Sequence, residues 1–101
     1  MGRTVRLGRR FRPSLERAGV AAGSGRGRKV ARVLVALGDR ERELPEFRDQ
    51  MIAIPPLRTA YSRHIMGENL WLLYTIHYVS AVEENEIHVI MVLSSPPVPV
   101  T

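Results

Sequence analysis

With 101 residues, 45% hydrophobic and 25% charged side chains, the chain has the size and composition of one globular domain with a single two-layer core; wholesale disorder is excluded. Fifteen Lys and Arg against ten Asp and Glu leave a net charge of +5, a surplus that favours a polyanionic partner. The lack of cysteine excludes disulfides, thiolate metal sites and cysteine nucleophiles, and no apolar run reaches membrane-spanning length, so a cytoplasmic protein without membrane attachment is expected.

In chain order, Val5, Leu7 and Phe11 alternate partly with arginines over 4–11, which predicts a first strand with one solvated face. Pro13 suits the first turn of a short helix that Ser14, Leu15, Glu16 and Arg17 continue as far as Gly19. The Gly-rich stretch 19–28 has no periodicity and predicts a flexible connection. From Lys29 onward, Val30, Val33, Leu34 and Leu37 recur at helical spacing, which predicts an amphipathic second helix with Arg32 and Arg40 on its outer side. Gly38 interrupts or caps it, and regular structure is expected to stop at Leu44-Pro45.

Beyond Pro55 and Pro56 lie three apolar segments, 57–66, 70–79 and 86–93, separated by Gly67-Glu68-Asn69 and by the acidic stretch 80–85. Their β-branched and aromatic content predicts an antiparallel meander. The fold expected is α+β in the order β-α-α-β-β-β, with two helices packed on one face of an antiparallel-rich sheet and the other face open. One domain spans 1–93, and the Pro-rich tail 94–101 is expected to be extended or disordered.

The charge is polarised along the chain. Arg3, Arg6, Arg9, Arg10, Arg12, Arg17, Arg26, Arg28 and Lys29 face the single acid Glu16 within 1–29, and no Lys or Arg follows Arg63. Arginine forks bind phosphate bidentately and stack on bases, so this first third suits nucleic acid; a solvated basic helix face is the alternative.

Several motifs resemble the RelE/ParE superfamily of small bacterial toxins, above all its YafQ-type branch. Arg9-Arg10-Phe11-Arg12-Pro13-Ser14-Leu15-Glu16-Arg17 is similar to that branch's passage from first strand to basic first helix, and Leu44-Pro45-Glu46-Phe47-Arg48-Asp49-Gln50 resembles its Leu-Pro stretch, with Gln50 where a histidine is usual. Tyr61-Ser62-Arg63-His64-Ile65 places His64 on the family's histidine position, and Glu68-Asn69-Leu70-Trp71-Leu72-Leu73-Tyr74 is similar to its acidic-x-Trp-Leu-Leu-Ile-Tyr segment. Ser94-Ser95-Pro96-Pro97 departs from the family, which supplies a further catalytic histidine there. The resemblance implies the toxin of a type II toxin–antitoxin system, a metal-independent, ribosome-dependent messenger-RNA endonuclease with a cognate antitoxin, the ribosome and mRNA as partners and no cofactor. A ParE-like inhibitor of DNA gyrase, or an inactive member that only binds partners, are the alternatives.

Cleavage of RNA by its own 2′-hydroxyl needs a base, an acid and a cation on the phosphorane. If Leu57, Tyr61 and Ile65 point to the helices, alternation sends Arg58, Ser62 and His64 to the open face. His64 is then the expected proton carrier, Arg58 the phosphate clamp and Glu68 a second proton carrier, with Arg48 and Gln50 at the rim and Arg63, on the other side by strict alternation, a secondary RNA contact. Trp71 is suited to stack on a base or to fill the core, and Arg9, Arg10 and Arg12 to contact ribosomal RNA or solvent. His64, His77 and His88 fall on different strands without carboxylates at ligand spacing, so no metal is expected, and His77 and His88 are expected as ordinary sheet residues.

Overall fold

The computed structural model, which describes residues 2–54 and 58–98, orders the chain as β1 (Val5–Leu7), α1 (Phe11–Arg17), α2 (Gly25–Leu37), β2 (Gln50–Ile54), β3 (Arg58–His64), β4 (Trp71–Val79) and β5 (Glu84–Leu93). The strands form one five-stranded mixed sheet in the order β1-β5-β4-β3-β2, with β1 parallel to β5 and every other pair antiparallel. The α+β expectation holds, with both helices contributing to one core. The strand count does not: β2, a partner for β3 formed by Gln50 to Ile54, precedes the prolines from which the meander was expected to start.

α1 ends in a Schellman motif. Gly19 adopts φ 71°, a left-handed backbone that glycine accepts without strain, while the amides of Gly19 and Val20 donate to the carbonyls of Glu16 and Leu15. Val20 thereby turns into the core. The stretch expected to be a flexible connection is shorter than 19–28, because Ser24 caps α2: its Oγ accepts from the Gly27 amide at 3.0 Å. That cap outweighs the poor helix propensity of Gly25 and Gly27 and starts the helix four residues before Lys29.

Val30 and Leu37 of α2 are buried, and Val33 and Leu34 pack beside them, as their spacing predicts. They meet Phe11 of α1 and Leu72, Tyr74, Ile87, Val89 and Val92 of the sheet in the main core. β1 is short and pairs only with Ile87 to Val89, so the edge of β5 beyond it is exposed to α1. Ser14 fills the gap: its hydroxyl donates to the Phe11 carbonyl at 2.5 Å and accepts from the Val92 amide at 2.9 Å. A register shift between Leu73 and Tyr74 leaves Ile90 unpaired opposite β4.

The other face of the sheet bears no helix among the described residues, yet it is not bare. Ile52, Ala60 and Leu73 are buried there beside Ile90, Met91 and Leu93 in a second, smaller cluster. The tail departs from β5 without further strand structure over 94–98. No helix among the described residues is long and apolar enough to cross a membrane.

Candidate functional site

Alternation along β3 sends Tyr61, Arg63 and Ile65 toward the helices and Ser62 and His64 to the opposite face. The pairing of β3 with β4 puts His64 directly across from Trp71, and the two rings stack with centroids 4.9 Å apart at 25°. His64 is exposed and Trp71 half-buried, so the indole forms a floor beneath the imidazole.

The turn after β3 fixes the ring. The Glu68 amide donates to the Ile65 carbonyl, the Ile65 amide to the Leu70 carbonyl, and Gly67 takes φ 82° between them. This turn presents the Glu68 carbonyl 2.7 Å from His64 Nε2. A carbonyl only accepts, so Nε2 carries the hydrogen and the neutral ring holds its lone pair on Nδ1.

Glu68 reaches His64 through its backbone alone. Its carboxylate turns to the start of α2, 3.4 Å from Arg26 Nε and 3.8 Å from Lys29 Nζ. The expected role of Glu68 as second proton carrier to His64 therefore has no contact behind it; the side chain ties the turn to α2 instead. Arg26 also donates to the Ala18 carbonyl at 3.2 Å. Arg26, His64, Gly67, Glu68 and Asn69 line an open cleft of about 510 Å³. Arg26 and Lys29 were not among the expected site residues, because only the fold brings α2 to the β3–β4 turn.

Gln50 is exposed and pairs across β2 with Ser62, which places it on the His64 face. Arg48 is exposed just before it, its Nε 3.2 Å from Glu46. Arg58 opens β3, and its side chain lies outside the described residues. Arg9, Arg10 and Arg12 are exposed around the start of α1. Arg9 and Arg12 line a groove of about 730 Å³ between the helices, floored by Leu15, Val20, Val30 and Leu34, which shares no lining residue with the His64 cleft.

Arg63 is corrected outright. It is fully buried on the helix side, where Nε and Nη2 donate to Asp49 at 2.7 and 2.8 Å, and it has no surface to offer RNA. The Tyr74 hydroxyl also donates to Asp49, and Arg63 Nη2 lies 3.5 Å from Glu46. Burial would push the Asp49 carboxyl up, but the hydrogen bonds from Arg63, Tyr74 and the Glu46 amide outweigh it and hold it below its ordinary range. Burial, with the hydrogen bond to Asp49, pushes the Tyr74 phenol up, so it stays protonated.

A second imidazole group lies at the far end of β4. His77 and His88 stack with centroids 3.9 Å apart at 22°. His88 Nε2 is 2.9 Å from Glu86 Oε1, to which Arg6 Nε donates at 2.7 Å, and His77 Nε2 is 2.8 Å from Thr75 Oγ1. The hydrogen bond from Arg6, then that from His88, holds the Glu86 carboxyl below its ordinary range.

Among the described residues no group of three or more His, Asp or Glu is placed to hold a metal ion. Comparison with known proteins gives no match to a family model, a curated protein or a solved structure.

Proposed function

We propose that the chain is a RelE/ParE-type toxin that cleaves messenger RNA on the ribosome, with His64 as the proton acceptor. The observation that carries this reading is the His64 ring itself: exposed, laid on Trp71, and held through Nε2 by the Glu68 carbonyl so that Nδ1 is the basic atom. Nδ1 takes the proton of the 2′-hydroxyl as its oxygen attacks phosphorus and the bond to the 5′-oxygen breaks. Arg26 and Lys29 supply positive charge beside the cleft for the phosphorane, and Trp71 offers a face for a base. Gln50 lies along the same face.

Two features of the fold support the RelE/ParE resemblance: both helices lie on one side of the sheet, and the last three strands form a meander. The apolar groove between α1 and α2, rimmed by Arg9 and Arg12, suits an amphipathic segment of an antitoxin with acidic flanks. In this reading the protein works in the cytoplasm, and its target lies in dense phosphate, where the exposed arginines of α1 gain most.

The engagement of Glu68 with Arg26 and Lys29 favours a second reading, because it leaves no proton donor for the 5′-oxygen beside His64 among the described residues. That reading is ParE-like inhibition of DNA gyrase by binding alone. Inducible expression in a bacterial host separates the two. Growth arrest with new cuts in translated messages, both lost in His64→Ala, supports the RNase. Arrest without cuts, accompanied by loss of supercoiling, replaces it with the gyrase reading, and no arrest overturns both.

A further inference from the structure

We propose that Phe47 is a base-stacking finger: the turn 46–49 presents its ring to an unpaired base of the RNA strand that passes the His64 cleft, with Arg48 beside it as positive charge for that strand's backbone. This rests on the RNA reading above. The turn is held at both ends. The Asp49 amide donates to the Glu46 carbonyl and the Glu46 amide to Asp49 Oδ2, both at 2.9 Å, which closes a β-turn twice over. Asp49 then accepts from Arg63 and Tyr74, and the Glu46 carboxylate accepts from Arg42 Nη1 and Arg48 Nε, each at 3.2 Å. The two central residues bury nothing in return, since Phe47 and Arg48 are both exposed. Buried charge pairs contribute little net stability; what this one fixes is the position of the tip.

The ring at that tip is the most exposed large apolar side chain among the described residues. On a fixed turn it loses little backbone freedom when a ligand meets it. The register sets where the tip lies. Gln50 pairs with Ser62 and Asp49 is joined to Arg63, so Phe47 and Arg48 continue the sheet edge toward the end of β3 that carries His64. Neighbouring strands are about 5 Å apart, so RNA seated at His64 runs past the turn. The chemistry of the tip selects a base over a protein surface. One aromatic ring stands between Glu46 and Arg48, and the turn holds no second large apolar side chain. A single ring flanked by charge matches the face of one base, whereas protein partners meet contiguous apolar patches.

The test is binding of a 5′-labelled, 2′-O-methylated octanucleotide, which resists cleavage, to the full chain, read by fluorescence anisotropy together with the NMR signals of the Phe47 ring and of His64 Cε1–H. The octanucleotide is expected to shift the Phe47 ring protons upfield and to move His64. Phe47→Ala, a change at a fully exposed side chain, is expected to weaken binding about tenfold with the circular dichroism unchanged, and Phe47→Tyr to keep most of the affinity. With one base removed from the octanucleotide at the stacked position, wild type is expected to bind no better than Phe47→Ala does. Equal affinity of wild type and Phe47→Ala, with His64 moved in both, overturns the finger and leaves the RNA reading standing. An octanucleotide that neither binds nor moves His64 overturns both. Binding that depends on Phe47 while His64 stays still overturns the placement of the strand at His64. Unchanged affinity in Phe47→Ala, with growth arrest lost on expression, overturns the base as the ligand in favour of a protein partner at the same tip.

Discussion

Arg63 donates from Nε and Nη2 to the two carboxylate oxygens of Asp49, at 2.7 and 2.8 Å, with neither side chain exposed. The pair fastens the irregular segment between α2 and β2 to the middle of the sheet. Its geometry is closed from the other side as well, since Asp49 also accepts from the Tyr74 hydroxyl and the Glu46 amide. Burying two charges brings little net stability, but removing one partner strands the other.

Asp49→Ala is therefore expected to destabilise the fold by about 3 kcal/mol, because Arg63 keeps only the more distant Glu46, and its Nη1 already lacks a partner. Tyr74→Phe removes one hydrogen bond and is expected to cost about 1 kcal/mol. Urea denaturation checks both. An Asp49→Ala loss no larger than that of Tyr74→Phe would show that the ion pair does not anchor the segment.

The same pair sets an acid limb. The folded carboxyl of Asp49 lies below its unfolded value, so the unfolded chain binds the extra proton, and stability rises with pH through that window. The contribution is complete above the unfolded pKa of about 4 and is lost as pH falls through the folded value. Wild-type stability is expected to drop from about pH 4 downward, and Asp49→Asn to flatten that limb. Denaturant midpoints measured across the range decide it; parallel limbs in the two proteins would assign acid sensitivity to other carboxylates.

Much of this arrangement was legible in the residues. The i, i+3, i+4, i+7 spacing of Val30, Val33, Leu34 and Leu37 located α2, and alternation alone separated His64 from Arg63. The partner of Arg63 was not legible, because Asp49 comes from a segment with no periodicity. β2 was missed because Gln50 to Ile54 is short and ends at two prolines, which look like loop. The early start of α2 was hidden by Gly25 and Gly27, whose propensity argues against helix while the Ser24 cap argues for it. The meeting of His77 with His88 depends on a register that includes the shift at Leu73/Tyr74, which no pattern in either strand announces.

Ser14 offers a test of the β5 edge. Its hydroxyl accepts from the buried Val92 amide, which β1 is too short to reach. Ser14→Ala leaves that amide without a partner and is expected to cost about 2 kcal/mol, whereas Ser14→Thr, which keeps an oxygen, is expected to retain more of it. Hydrogen exchange at the Val92 amide gives an independent reading. Unchanged protection in Ser14→Ala would mean the hydroxyl is not the group that shields it.

The stack of His64 on Trp71 can be read by light, since Trp71 is the only tryptophan in the chain. The imidazole covers one face of the indole, so His64→Gln, which uncovers that face, is expected to raise the quenching of tryptophan emission by acrylamide. The stack also predicts coupling in the other direction: Trp71→Ala frees the ring from its floor, and only Nε2 at the Glu68 carbonyl then orients it. If the proposed chemistry holds, Trp71→Ala is expected to lower the cleavage rate about tenfold, as a loosened base would, and Trp71→Phe to restore part of it. Acrylamide quenching that is unchanged in His64→Gln would remove the stack as the feature that positions His64.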